Sequence, residues 1–254
     1  MGNRTVGLAN ASSNLEYSGT LSEMMIRTVP LAICVILAAN APSYAADAPP
    51  AHPDATGWRQ LFAPDLSDAI APPGIWSWHD GILGATEDQI LWTRGEYADF
   101  TLDLEFRNSE GTNSGVFVYG SDLKDPIPNS IEIQIADDHF PKRANNPGTW
   151  RCGAFFGHKP PTRSVVRRPG EWNRMTITCN GPAISVVLNG ETINEIDLRQ
   201  WTSAKKNPDG TEIPPWLSKP WAQLPTRGHI GLQGKHAGAP IEFRNIRISA
   251  PAPH

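Results

Sequence analysis

The sequence predicts an all-β chain folded as one β-sandwich or jelly roll. Three observations lead there: short segments of two-residue periodicity recur along most of the chain, helical periodicity is nearly absent, and 22 Gly and 24 Pro punctuate the 254 residues. A formal net charge of -4, with 22 Lys and Arg against 26 Asp and Glu, argues against a nucleic-acid partner.

The chain opens on a targeting segment. In "MMIRTVPLAICVILAANAPSYAADAPP", Arg27 precedes an apolar run at 29–39 and a small-x-small site at Ser43-Tyr44-Ala45, the layout of a cleavable export signal. Translation is expected to start at Met24 or Met25, and the product to be periplasmic or secreted. The run is shorter than the ~20 residues a spanning helix needs, so no stable membrane insertion is expected. Ile33 ahead of Cys34 is too large for a lipid-attachment signal. Residues 1–45 are therefore read as extension and signal, 46–56 as a flexible linker, 57–249 as the sandwich and 250–254 as a tail.

Within the sandwich, "FTLDLEF" (100–106) alternates apolar Phe100, Leu102, Leu104 and Phe106 with polar residues, the period of a half-buried strand. "SGVFVY" (114–119), "IEIQI" (131–135), "RMTITC" (174–179), "AISVVL" (183–188), "ETINEI" (191–196) and "IEFRNIRI" (241–248) continue the theme. Asn189-Gly190 is a tight hairpin signal. In the last segment the apolar phase slips from Ile241 and Phe243 to Ile246 and Ile248, which predicts a bulge near Arg244 and Asn245. One short helix is expected near "DLRQWTSAKK" (197–206), then a long Pro- and Trp-rich loop at 207–228. Cys152 and Cys179 are either a disulfide or two small buried hydrophobes.

The order of these elements carries a resemblance. "GWRQLFAPDLSDAI", "WSWHDGILGA", "EYADFTLDLEFR", "NSGVFVYG", "IEIQIADD", "GAFFG", "PGEWNRMTITCNGPAISVVLNGE" and "RGHIGLQGKHAGAPIEFRNIRI" follow in turn. Together they resemble the 3-keto-disaccharide hydrolase family, from about Gly57 to Ile248. The resemblance implies a concanavalin A-like jelly roll of two antiparallel sheets and an exported enzyme acting on glycosides already oxidised at C3. It also implies a divalent metal, Ca2+ or a transition metal, and functional pairing with a sugar 3-dehydrogenase.

The chemistry follows from the ketone. A carbonyl at C3 acidifies the C2 hydrogen, so a base can remove it and the C1 substituent can leave, to be replaced later by water. That route needs a base, a stabiliser for the enolate oxygen and an acid at the leaving oxygen. It does not need the paired carboxylates of ordinary glycosidases.

Candidate residues can be placed on that scheme. With Ile131, Ile133 and Ile135 buried, Glu132 and Gln134 project together from the other face. A carboxylate and an amide oxygen suit a hard cation or sugar hydroxyls, and Asp137 could join them from the following loop; otherwise Glu132 lies on a solvated face and Asp137 closes a turn. In "HIGLQGKHAG" (229–238), Gln233 shares a face with His229, and a Gly-rich turn presents Lys235 and His236. His236 is the choice for metal ligand or acid/base, and Lys235 for the enolate oxygen. Glu132, His236, Lys235 and Asp137 are thus the catalytic candidates, and Glu132, Gln134 and His236 the metal ligands.

The resemblance puts "NSG" (113–115) beside the site. Arg107, Asn113, Gln233, Arg244 and Trp150 are read as sugar-binding residues, with Arg107 and Asn113 otherwise closing a turn and Arg244, at the bulge, either pointing into the cleft or snorkelling to solvent. Loop tryptophans Trp150, Trp216 and Trp221 suit stacking on sugar rings, whereas Trp172 and Trp58 are read as core. His158, with Arg163, Arg167 and Arg168, is expected at a solvated rim. The competing reading is a non-catalytic, laminin-G-like carbohydrate-binding module, which would need aromatic platforms but no base.

Overall fold

The computed structural model describes residues 52–250. The export signal, start site, first part of the linker and end of the tail lie outside those residues. In chain order the strands are β1 (Arg59–Gln60), β2 (Ala69–Ile70), β3 (Trp76–His79), β4 (Ile82–Ala85), β5 (Ile90–Thr93), β6 (Phe100–Asn108) and β7 (Asn113–Gly120). They continue as β8 (Ile131–Ala136), β9 (Trp172–Asn180), β10 (Ala183–Leu188), β11 (Glu191–Asp197), β12 (His229–Gln233) and β13 (Ile241–Ser249). An eight-stranded sheet runs β11-β10-β9-β6-β13-β4-β3 with β1 also on β13, and a five-stranded sheet runs β2-β5-β12-β7-β8. Every pairing is antiparallel, which is the predicted jelly-roll sandwich.

Alternation builds the core. Leu102, Leu104 and Phe106 of β6, Met175 and Ile177 of β9, and Phe243 of β13 are buried on the larger sheet. Val116 and Val118 of β7, Ile131, Ile133 and Ile135 of β8, and Ile230 and Leu232 of β12 are buried on the smaller one. Each such side chain taken out of water contributes roughly 1.5–3 kcal/mol. The expected hairpin joins β10 and β11, with Asn189 and Gly190 at φ of 51° and 89°. The expected bulge is also present: the β13–β6 register shifts between Arg244 and Arg247, and Asn245 sits at φ 51°.

Two expectations change, and for the cysteines the reading as buried hydrophobes holds. The helix near 197–206 reduces to a single 3-10 turn, Leu198–Gln200, whose backbone N–H at Arg199 is capped by the Asp197 carboxylate. Cys152 and Cys179 are both free and buried, and burial pushes both thiols up. Residues 52–56 are packed rather than loose. His52 Nδ1 donates to Thr176 Oγ1 (2.8 Å), its Nε2 accepts from the Gly190 N–H (2.9 Å), and Arg174 and Arg247 hold the carbonyls of Pro53, Ala55 and Thr56.

β8 is the edge of the smaller sheet, and its free side is covered. The Gln134 N–H donates to Ala154 O (2.9 Å), Gly153 N–H to Gln134 O (2.8 Å) and Phe156 N–H to Glu132 O (3.0 Å). The long β8–β9 connection thereby folds back beside β8 and brings its side chains over the outer face of the sheet.

Candidate active site

On the face of the smaller sheet turned away from the core, strand parity sets Glu132 and Gln134 of β8 beside Asn113, Gly115 and Phe117 of β7. Gly231 and Gln233 of β12 and Ile90 and Trp92 of β5 complete that face. One half is filled by Trp92, 5.6 Å from Phe117 between ring centroids. Gly231 permits this, since a Cβ there would stand 2.7 Å from the Trp92 ring. The other half stays open as a cavity of about 470 Å3, with Asn113, Glu132, Gln134 and Gln233 among its lining. Arg143, Trp150 and Phe156 from the β8–β9 loop, Trp216 from the β11–β12 loop and His236 also line it.

Glu132 lies in a slot made by a missing side chain. A Cβ on Gly115, its diagonal neighbour, would stand 2.5 Å from Glu132 Oε1 and 2.9 Å from Cγ. No cation among the described residues pairs with this carboxyl. Burial alone therefore acts on it, disfavouring the charged form and raising its pKa to about 8. Beside it, the amide orientation of Gln134 that satisfies both ends donates to Ser114 O (2.8 Å) and Glu132 Oε1 (3.2 Å) and accepts from the Asn113 amide (3.0 Å).

His236 follows β12 through backbone pairing. Gly234 and Lys235 N–H groups donate to Gln89 O (2.9 Å) and Glu87 O (3.1 Å). The chain then turns at 235–238, where the Gly238 N–H donates to Lys235 O (3.2 Å) and Ala237 takes the left-handed φ of 58°. The His236 ring meets Asp88 Oδ2 at 2.6 Å through Nδ1. In a neutral ring that donates Nδ1–H to this carboxylate, the lone pair lies on Nε2.

Six expected site residues thus line one cavity: Glu132, Gln134, Asn113, Gln233, Trp150 and His236. The others do not. Asp137 is buried, accepting from the Gly111 N–H (2.9 Å) and the His139 N–H (3.0 Å), so it closes the turn after β8. Lys235 is absent from the lining, because neighbours at a turn point apart and its backbone is paired toward Glu87. Arg107 and Arg244 belong to β6 and β13 of the other sheet, on its outer face. Arg107 pairs with Glu242 (2.5 Å) and Arg244 with Glu105, and both guanidiniums lie over the Trp172 ring, at 4.7 and 4.0 Å. Trp172 is therefore a surface platform for two arginines, not a core residue. His158 is buried and stacked on Trp221 at 3.5 Å, and burial lowers its pKa to about 4.

Arg143 and Asp88 went unread in the sequence. Arg143 donates through Nη1 to Thr112 O (2.7 Å) and through Nη2 to Gly111 O (2.8 Å), so the Asp137 turn and Arg143 brace the same segment. Burial lowers the Arg143 pKa without removing its charge. As for a metal, no group of three or more His, Cys, Asp and Glu suited to an ion occurs among the described residues. The donors the cavity does offer are an unpaired carboxyl at Glu132, the Nε2 of a carboxylate-held imidazole and the Gln134 amide oxygen. That set fits an oxygen- and nitrogen-bound divalent ion only if solvent or sugar oxygens complete its shell.

Two outcomes follow. Gly115→Ala should leave the fold intact yet displace the Glu132 carboxyl, lowering turnover at least tenfold with the circular dichroism unchanged. Asp137→Ala should cost about 1–3 kcal/mol in urea unfolding, because it removes a buried carboxylate that accepts from two backbone N–H groups; if Asp137 were catalytic, turnover would collapse without that loss.

A family described as the 3-keto-alpha-glucoside-1,2-lyase-like domain matches residues 53–249. A crystal structure from Parabacteroides distasonis, provisionally named a glycosyl hydrolase, is 52% identical with a TM-score of 0.74 and covers 76% of this chain and 99% of that chain. A second structure from that organism, similarly named, is 20% identical with a TM-score of 0.57, covers 78% of this chain and 89% of its own, and supports the fold alone. A 3-keto-disaccharide hydrolase of Bacteroides thetaiotaomicron is 24% identical over 206 residues, 69% of this chain and 70% of the relative. The match across nearly all the described residues makes this chain a member of the 3-keto-alpha-glucoside-1,2-lyase-like domain family.

Proposed function

We propose that this protein cleaves 3-keto-glycosides by elimination across C1 and C2 followed by hydration. The single observation that carries the reading is one cavity holding a carboxyl with no cationic partner, a carboxylate-held imidazole and a guanidinium, with no second carboxylate in its lining. Family membership supports the coarser assignment to glycosyl hydrolase-like enzymes acting on sugars. A retaining glucanase would need a nucleophilic carboxylate ~5–5.5 Å from its acid.

In this reading Nε2 of His236 takes the C2 proton, while Asp88 holds the imidazolium that forms. The electron pair moves into a C2–C3 enolate, whose oxygen accepts from the N–H groups of Arg143 not spent on Gly111 and Thr112. The enolate then re-forms the ketone with a C1–C2 double bond, the C1–O bond breaks, and Glu132 gives its proton to the departing oxygen. Glu132, now ionised, takes a proton from water as it adds to C1, and His236 returns its proton to C2. The sum is hydrolysis. Trp150 and Trp216 offer faces for the ring, and Asn113, Gln134 and Gln233 offer polar contacts for hydroxyls.

The unpaired Glu132 carboxyl also supports a divalent ion held by Glu132, Gln134 and Nε2 of His236, which would supply Lewis-acid polarisation of the ketone. In that state Glu132 is ionised. The substrate ketone implies a sugar 3-dehydrogenase acting upstream, and the leader sequence supports export.

The test is incubation with methyl 3-keto-glucoside and with unoxidised methyl glucoside, with and without chelator, following methanol release and enone absorbance. Turnover of the keto sugar alone, reduced on the order of 100-fold or more in His236→Ala, is expected. Saturable binding of both sugars without turnover would establish the binding-module reading. Loss of turnover on chelation would establish the metal.

Glu132 gives a pH signature of its own. As a proton donor it supports departure of the leaving group below about pH 8, and activity falls above that value; Glu132→Gln should abolish this fall. Because its folded pKa is raised above the ordinary 4.5, its contribution to stability is fully present below 4.5 and is lost as pH rises through about 8. Glu132→Gln should therefore gain melting temperature relative to the native chain across that window, with no further gain at higher pH.

A further inference from the structure

A second cavity of about 450 Å3 opens on the same face of the smaller sheet. The two share Gln233, and Asp88, which lines the second, is bonded to His236, which lines the first. They differ in the residues that line them. The second is walled by Ile70 and Pro72 at the end of β2, Ile90 and Trp92 of β5, and Leu123 and Pro126 from the β7–β8 connection. No cationic residue lines it, and its one carboxylate, Asp88, gives one oxygen, Oδ2, to His236. The exposed large hydrophobics among the described residues are Ile70, 38% exposed, and Trp216, 52% exposed; they line the second and first cavities respectively.

We propose that the second cavity receives the leaving group, and that it selects an apolar, ring-sized aglycone over a second sugar. The proposal rests on reading the first cavity as the seat of the keto sugar. A glycoside spanning both would set its C1–O bond near Gln233 and the Asp88–His236 pair, where the cavities meet. A departing sugar carries a hydroxyl on nearly every carbon, and each one buried without a partner is costly. Against that demand the second cavity offers the side chains of Gln89 and Gln233 and the Asp88 oxygen not bonded to His236, three polar groups among mostly apolar residues. An aromatic or alicyclic alcohol needs one acceptor or donor, at the oxygen that leaves, and gains from the apolar walls. Trp92 gives such a ring an aromatic neighbour.

The test compares three 3-keto-glucosides whose leaving groups are all primary alkanols or methanol, so that intrinsic reactivity is similar: methyl, benzyl and a glucosyl substrate joined through the primary 6-hydroxyl of glucose. The native protein should show the lowest KM for the benzyl substrate, by about tenfold over the glucosyl one. Ile70→Asp, at an exposed position, should raise the benzyl KM about tenfold with kcat unchanged and leave methyl 3-keto-glucoside kinetics within twofold. Leu123→Asp should repeat the pattern from the opposite wall. A glucosyl KM equal to or below the benzyl one, or variants that affect methyl and benzyl substrates alike, would overturn the proposal while leaving the keto-sugar reading in place. Failure of the native protein to turn over the methyl substrate would remove the reading beneath it as well.

Discussion

The register of β8 governs the whole site. Ile131, Ile133 and Ile135 are each 0% exposed, and that burial turns Glu132 and Gln134 outward. A slip of one residue would exchange the two sets, setting a carboxyl and an amide in the sandwich core and three isoleucines in the cavity. Hydrogen bonds hold the register from both sides, from β7 on one edge and from residues 153–156 on the other. The apolar interior, which carries no chemistry, is thus what aims the chemistry. The covering segment does double duty, since the turn that protects the β8 edge also delivers Trp150 and Phe156.

Around that strand the cavity is defined as much by missing atoms as by present ones. Without a Cβ at Gly115 the Glu132 carboxyl lies over that position, and desolvation with no cationic partner raises its pKa. Without a Cβ at Gly231 the Trp92 ring settles onto the sheet, and the face is left with two cavities of different lining. The Asp88–His236 pair stands where the two meet.

Much of this was legible in the sequence, and the boundary of legibility is physical. Alternation gave the strands, the Asn189-Gly190 hairpin, the bulge at Asn245 and the outward pair on β8. Alternation reports inside against outside, however, and is silent on which sheet a strand joins. Arg107 and Arg244 were correctly outside but on the far sheet, where they pair with Glu242 and Glu105 over Trp172. Asp137 looked catalytic because carboxylates serve both catalysis and turns, and only its two N–H donors tell the uses apart. Arg143 and Asp88 were invisible for another reason: their partners are brought to them by long irregular connections with no period to read.

The bulge in β13 has an effect on where the described chain begins and ends. By inserting an extra residue, it lets Phe243, Ile246 and Ile248 all face the core while Arg244 and Arg247 both face out. Arg247 then grips the carbonyls of Ala55 and Thr56, and Arg174 that of Pro53, fastening the incoming chain across the back of the larger sheet. The outgoing strand belongs to that same sheet. The described chain therefore begins and ends on the larger sheet, the one that carries neither cavity, so the strands that frame the site are free of both ends of the fold.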